Sequence, residues 1–492
     1  MGFSILDYTI VGVYLVGVTV AGVYLSGRQR SAVDYFLAGK SLPWWLVGCS
    51  IAAGETSALT VISVPGIAYV GSLHFMQLVF GYFVGRLIVS IVFIPAYYRG
   101  ALETAYDFLG KRFGMSLRRF SSIVFIITRV LASGVRLFAT AIPIHMITGM
   151  SYLDSILLIG ACTLIYTAVG GLRSVVSMDV VQLVIYVAGA AAAFLLILSR
   201  VPGGWSGVVV FAHEGAVNKF EMFSLGPIGD WYAFFSSPYT ILGGVVGGAF
   251  LSMASHGTDQ LIVQRLLACR SARESQKALL LDASVIVLQF AFFLVLGLGL
   301  FAYYRGASLQ QLGLSTSDEV FPYFIVHELP FGLAGLMVAG IIASAMGTLS
   351  TSITALASST YLDIVKPFSR VNLSSSVTEM RWSRLLTLVW GLALMGGALL
   401  FTDTKDPVVE LGLTIASFTY GALLGVFFLG LLFPRTRRAD AYAAFITSII
   451  VMVAVLHWTS IAFTWHTAIG CLVALIAGNL RPIWVRITAA GN

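Results

Sequence analysis

The residues with the clearest chemical potential lie between Gly332 and Asp363, in a stretch long and apolar enough to cross a bilayer. It carries Ser344, Thr348, Ser350, Thr351, Ser352 and Thr354. At helical spacing, positions 344, 348, 351 and 352 share one stripe, and Gly340 and Gly347 allow another backbone to approach closely. Oxygens aligned at mid-membrane suit a small hard cation such as sodium. The competing reading is a packing seam whose hydroxyls bond to carbonyls one turn back.

A second such stretch is Gly48-Cys49-Ser50-Ile51-Ala52-Ala53-Gly54-Glu55-Thr56-Ser57-Ala58. Small residues, a carboxylate and hydroxyls at mid-span predict a broken helix whose freed carbonyls face a cation. Glu55 at that depth is either functional or the internal partner of Arg129 or Arg136. Those two arginines, seven residues apart, share a helix face and could draw an anionic group. Arg86, also mid-span, has no evident assignment. A third interrupted stretch, Gly243-Gly244-Val245-Val246-Gly247-Gly248, is followed by Ser252, Ser255, His256 and Asp259. The candidate lining of a central solute site is Glu55, Ser57, Gln77, Arg129, Arg136, Ser252, Ser255, His256 and Tyr420. Its mixed charge suits a carboxylate or zwitterion better than a neutral sugar.

The elements that position these residues are membrane spans. The 492 residues are 58% hydrophobic and 10% charged, with mean hydropathy +0.92, which defines an all-α polytopic membrane protein. Apolar runs fall at 7–26, 43–70, 74–98, 119–148, 151–169, 180–200, 236–262, 277–303, 331–362, 382–402, 407–433, 439–457 and 461–480, about thirteen spans. The first opens on Asp7 and lacks a cleavage pattern, so it reads as a retained helix. Two interrupted spans five apart suggest an inverted repeat, 43–200 against 236–433, with 7–26 before it and 439–480 after. Segment 170–179 reads as an inside loop, with Asp179 at the start of the next span as an N-cap.

With the N-terminus outside, 22 of the 29 basic residues fall inside, 4 outside (Arg200, Lys219, Arg305, Lys405) and 3 within spans (Arg86, Arg129, Arg136). The inside set includes Arg28, Arg265 and Arg370. The net charge of +7 is then a topology signal rather than a nucleic-acid footprint, and the expected location is a multi-pass cell-membrane protein with a cytoplasmic C-terminus. Four isolated cysteines suggest neither disulfides nor a metal cluster. No nucleotide loop or nucleophile elbow is visible, so an enzyme is not expected. The expected partners are a small-molecule solute and the lipid bilayer, with no obligate protein partner.

The segment Gly170-Gly171-Leu172-Arg173 to Asp179-Val180-Val181-Gln182 resembles the Gly-Gly…Asp-x-(Ile/Val)-Gln signature of the sodium/solute symporters, the family of sodium-coupled sugar, proline, sialic acid and iodide carriers. Three further stretches agree: Asp34-Tyr35-Phe36-Leu37-Ala38-Gly39, Thr104-Ala105-Tyr106-Asp107-Phe108-Leu109, and Asp259-Gln260 with Val263-Gln264-Arg265. The resemblance implies a leucine-transporter-type core of two inverted five-helix repeats. It also implies a principal sodium site made from the carbonyls of Ala53, Thr56 and Ser344 and a hydroxyl pair at Gly347 and Thr348. Only Thr348 of that pair carries a hydroxyl. A second sodium site would use Asp179, Ser350 and Thr351. The aromatic inner gate of the sugar carriers is replaced by Ser255.

The expected activity is sodium-coupled symport of a small polar, anionic or zwitterionic organic solute by alternating access, with sodium as the coupling ion. The alternatives are a proton-coupled carrier on the same fold, with Glu55 or Asp179 titrating, and a solute sensor that does not transport.

Overall fold

A computed structural model describes residues 3–27, 29–213, 218–368, 375–401 and 408–490. Arg28, Arg370 and Lys405, used above for orientation, lie outside the described residues. Among these residues the fold is helical with no β-strand, apart from one isolated bridge between Leu42 and Cys269. The main elements are α1 (Ile5–Tyr24), α2 (Trp44–Glu55), α3 (Ala58–Val70), α4 (Met76–Arg99), α5 (Met115–Thr148), α6 (Tyr152–Arg200) and α7 (Gly248–Gly257). They continue as α8 (Gln260–Leu267), α9 (Ala272–Tyr303), α10 (Leu333–Ser359), α11 (Ser376–Ala398), α12 (Val408–Leu432), α13 (Arg438–Trp458) and α14 (Phe463–Ala490). Nine helices among the described residues are long and apolar enough to span a bilayer, and the pair α2 and α3, bent by 62°, makes a tenth.

At the centre lies α10, where every residue from Met337 to Ser359 is buried. Small residues make this possible. Gly340 meets the backbone of Tyr186 on α6, and Gly335 meets that of Asp7 on α1. Asp7 is a buried anchor, its Oδ1 accepting the N–H groups of Gly332 and Gly335 at 2.8 and 2.7 Å. A carboxylate at that helix start satisfies orphan donors and opposes the helix dipole.

Asp179 departs from expectation. There is no loop over 170–179, because α6 runs from 152 to 200 with a single bend at Gly171 (φ 56°, ψ −156°). Glycine is required there by the positive φ and by the Tyr35 carbonyl, 2.6 Å from where a Cβ would stand. Asp179 is therefore a fully buried mid-helix residue and not an N-cap.

Beyond the core, Arg118 bonds Asp107 at 2.6 Å and Asp363 at 2.8 Å, tying the short helix Ala105–Phe113 to the end of the α10 segment. At the opposite side Lys219 caps the C-terminus of α3, donating to the carbonyls of Tyr69 (2.7 Å) and Gly71 (3.0 Å). Burial pushes its ammonium down to about 8.

Candidate functional site

The break between α2 and α3 is two residues long. Thr56 (ψ 99°) and Ser57 (ψ 165°) are extended, which frees the last carbonyls of α2. Gly54 allows α10 to press against this end, since a Cβ there would lie 2.7 Å from Thr351 Oγ1. Thr348 Oγ1 donates to the carbonyls of Ser344 (3.1 Å) and Gly54 (3.3 Å), which places it beside the broken turn. Around Gly347 the nearest neighbours are oxygens. A Cβ on residue 347 would stand 3.0 Å from Gln182 Oε1 and 3.6 Å from both the Ala53 carbonyl and Asp179 Oδ1. The Ala53, Ser344, Gly347 and Thr348 positions are thus brought together with Asp179. Thr56 belongs to the same turn, with its hydroxyl held by Ala52 and Gln289 at 2.7 Å each.

This geometry yields a prediction. Gly347→Ser adds a hydroxyl facing the Ala53 carbonyl, and the neighbour that must yield is the flexible side-chain amide of Gln182. The expected gain in sodium affinity is about twofold to tenfold, the worth of one oxygen contact. Sodium titration of thermal stability checks it; unchanged or weaker affinity in a well-folded variant makes Gly347 a packing contact only.

Arg265 corrects the topological reading. It is not on the inner surface but fully buried, with Nε on Ser50 Oγ (2.9 Å) and Nη2 on both Asp179 Oδ2 (2.9 Å) and Thr351 Oγ1 (2.6 Å). Ser350 Oγ donates to the Gly347 carbonyl at 3.0 Å. Two of the three side chains expected at a second sodium site are thus bonded to a guanidinium. The positive charge beside Asp179 is supplied by the protein itself.

The arginines of α5 do not act together. Arg129 pairs with Asp259 and lies 2.8 Å from Tyr420 OH, which in turn donates to Asp259 at 2.6 Å. Arg129 and Tyr420 therefore form a neutralised cluster rather than an anion clamp. Arg136 instead lines a small cavity of about 10 Å³, together with the hydroxyls of Ser57, Ser133, Thr140, Thr348 and Ser352 and the apolar side chains of Leu137, Ala345 and Leu349. It has no ion pair or hydrogen bond through its guanidinium among the described residues. Ser133, Thr140 and Ser352 were absent from the sequence-based solute list; their spacing with Arg136 along α5 and with Thr348 along α10 is the signal that could have found them.

Glu55 pairs with neither arginine of α5. Its partner is Arg86, which also bonds Asp282 Oδ2 through Nε at 2.7 Å. His256 Nε2 completes the group, 3.4 Å from Glu55 and 3.6 Å from Asp282. Arg86 and Asp282 are fully buried, while the Glu55 side chain keeps 28% exposure. Asp282, missed in the sequence, is the lone carboxylate inside the run 277–303, and a search for the counter-charge of Arg86 points to it. Ser252 bonds the Tyr82 carbonyl at 3.0 Å and Ser255 the His256 ring at 2.8 Å, so both support this group. Gln77 lies elsewhere, binding the carbonyls of His74 and Tyr239 and the N–H of Ser224. It fastens loops and does not line the centre.

A helical membrane bundle with a broken central span, buried ion pairs and a small cavity at the break has the architecture of a membrane transporter. The sequence profile of the sodium:solute symporter family matches residues 35–451, and the chain belongs to that family. It is 28% identical to the sodium/sialic acid symporter SiaT of Proteus mirabilis, over 97% of this chain and 95% of that protein. With the human sodium/iodide cotransporter it shares 30% identity, over 90% of this chain and 68% of the relative. A substrate-bound outward-open structure of a Na+-coupled sialic acid symporter superposes with TM-score 0.86 at 27% identity, covering 98% of each chain. The protein is a sodium-coupled solute symporter of the membrane, with sodium as coupling ion.

Proposed function

We propose that the transported solute is a small organic anion or zwitterion whose negative group is held by Arg136. The observation that carries this is the division of labour among the three mid-membrane arginines. Arg86 is neutralised by Glu55 and Asp282, and Arg129 by Asp259, whereas Arg136 makes no direct ion pair and opens on a small cavity of mixed hydroxyl and apolar lining next to the break. A guanidinium that makes no direct ion pair and is presented to hydroxyls suits a carboxylate. The solutes named for two of the relatives, sialic acid and iodide, are likewise negatively charged.

Sodium would bind between the carbonyls of Ala53, Thr56 and Ser344 and the hydroxyl of Thr348 at Gly347. Asp179, Ser350 and Thr351 would hold a second ion only if Arg265 moved away. The transport cycle is alternating access of two inverted repeats, 43–200 and 236–433, within about thirteen spans. Helices 7–26 and 439–480 flank them, the N-terminus being outside and the C-terminus cytoplasmic. Sodium joins the broken turn to α10 and so favours one of two arrangements, which the solute then closes.

The test is thermal stabilisation of the purified protein by a panel of monocarboxylates, amino acids and neutral sugars, with and without sodium. Sodium-dependent stabilisation by carboxylates but not sugars is expected. Arg136→Gln should weaken the active solute by about ten- to a hundredfold, the worth of a charge-assisted contact. Stabilisation by a neutral sugar that survives Arg136→Gln would overturn the assignment.

A further inference from the structure

Glu55, Arg86, His256 and Asp282 come from four elements: the end of α2, α4, α7 and α9. The surroundings of His256 can hold a second proton. Its Nε2 faces Glu55 Oε2 and Asp282 Oδ2, which as carboxylates only accept. Its Nδ1 lies 3.2 Å from the Ser252 carbonyl, also purely an acceptor, and 2.8 Å from the Ser255 hydroxyl, which can take either role. A neutral imidazole has one N–H and an imidazolium two. Arg86 Nε, bonded to Asp282 at 2.7 Å, also donates to Nε2 at 3.2 Å, which satisfies the neutral ring; a second proton on Nε2 would exchange that contact for one with the carboxylates. Charge counting agrees: among the directly paired groups, one guanidinium against two carboxylates leaves −1, and a proton on His256 brings it to zero.

We propose that His256 is a proton-binding site thermodynamically opposed to sodium, so that a proton there weakens sodium binding at the broken span. The inference rests on the sodium position proposed above. Glu55 is the link, adjacent in sequence to Thr56 and two residues from Ala53. A sodium ion on those carbonyls offsets the same excess negative charge that the proton offsets, without sharing a ligand with it. Two cations that relieve one charge must oppose each other, and by the same factor in both directions. Other charges near α7 are already matched. Asp259 is paired with Arg129 and with Tyr420 of α12, and Arg265 of α8 is paired with Asp179. His466 of α14 is turned to the Ile461 carbonyl at 2.9 Å. Tyr82 of α4 and Arg136 of α5 complete the field around Glu55.

The experiment is sodium titration of thermal stability from about pH 4 to about pH 8.5, across the ordinary carboxylate and histidine ranges, with proton release on sodium addition measured in weak buffer. The sodium Kd should rise about five- to tenfold towards acid pH, and sodium addition should release protons. His256→Gln should flatten both, with His256→Asn as a second variant. A wild type whose sodium affinity is flat in pH, or a folded variant that keeps the slope, overturns the proposal. If neither variant folds, wild-type proton release centred in the histidine range supports it, and release confined to below about pH 5, where carboxylates titrate, overturns it. Sodium binding without pH dependence removes this inference alone; no sodium binding at any pH removes the sodium position with it.

Discussion

Arg265→Met should cost about 3–5 kcal/mol of stability in sodium-free buffer and recover part of that loss when sodium is added. The cost comes from Asp179, fully buried and left without the guanidinium that now lies 2.9 Å from its Oδ2. Ser50 and Thr351, which share the same guanidinium, lose their bonds with it. Methionine fills similar volume, so the effect is one of charge rather than of a cavity. The recovery is the diagnostic part. Without Arg265, the Asp179 carboxylate and the Thr351 hydroxyl face each other beside Ser350 as an oxygen site for a cation, the second sodium position implied by the family resemblance. The wild type should show one sodium-binding step and the variant a second, weaker one. Melting curves in sodium against an inert organic cation decide between the outcomes. A variant destabilised equally in both shows that Asp179 needs a guanidinium and not simply a positive charge.

The same cluster shows what the sequence could reveal. The broken span was legible because small residues, hydroxyls and a carboxylate interrupt an apolar run, and hydropathy alone registers such a break. The hydroxyl stripe of α10 was legible from helical spacing, and its burial follows from the glycines and alanines beside it. Arg265 was not legible. It stands a few residues before Arg270 and Arg273 at the end of an apolar run, where counting basic residues assigns it to the inner surface. Only the folding of α8 back into the bundle buries it. Asp179 was misplaced for a related reason: a Gly-Gly pair followed by polar residues reads as a loop, whereas Gly171 bends a helix that continues. Partner choice among buried charges was the least accessible. Glu55, Arg129 and Arg136 were visible as costly residues, yet which arginine meets which acid depends on contacts between helices distant in sequence. Glu55 meets Arg86 and Arg129 meets Asp259.

Those partner choices set the largest remaining expectation. Arg86→Met should destabilise the protein by about 3–5 kcal/mol, and sodium should not repair it. Removing the guanidinium leaves Asp282 uncompensated in the interior and Glu55 uncompensated at its edge, with His256 able to neutralise one of them at most. The partial exposure of Glu55, 28%, lets water take up some of its charge, so Asp282 carries most of the cost. The contrast with Arg265→Met lies in the neighbours. Around Asp179 there are hydroxyls and carbonyls able to complete a cation shell, whereas around Arg86 there are two carboxylates, an imidazole and the face of Tyr82, 5.8 Å from the guanidinium carbon. A second substitution separates charge from shape. If the loss is one of unpaired charge, Arg86→Met combined with Asp282→Asn should regain well over half of the stability, since replacing a buried pair costs far less than breaking it. If the double variant is no more stable than Arg86→Met alone, the guanidinium matters through its packing between α4 and α9, and the electrostatic account of this cluster fails.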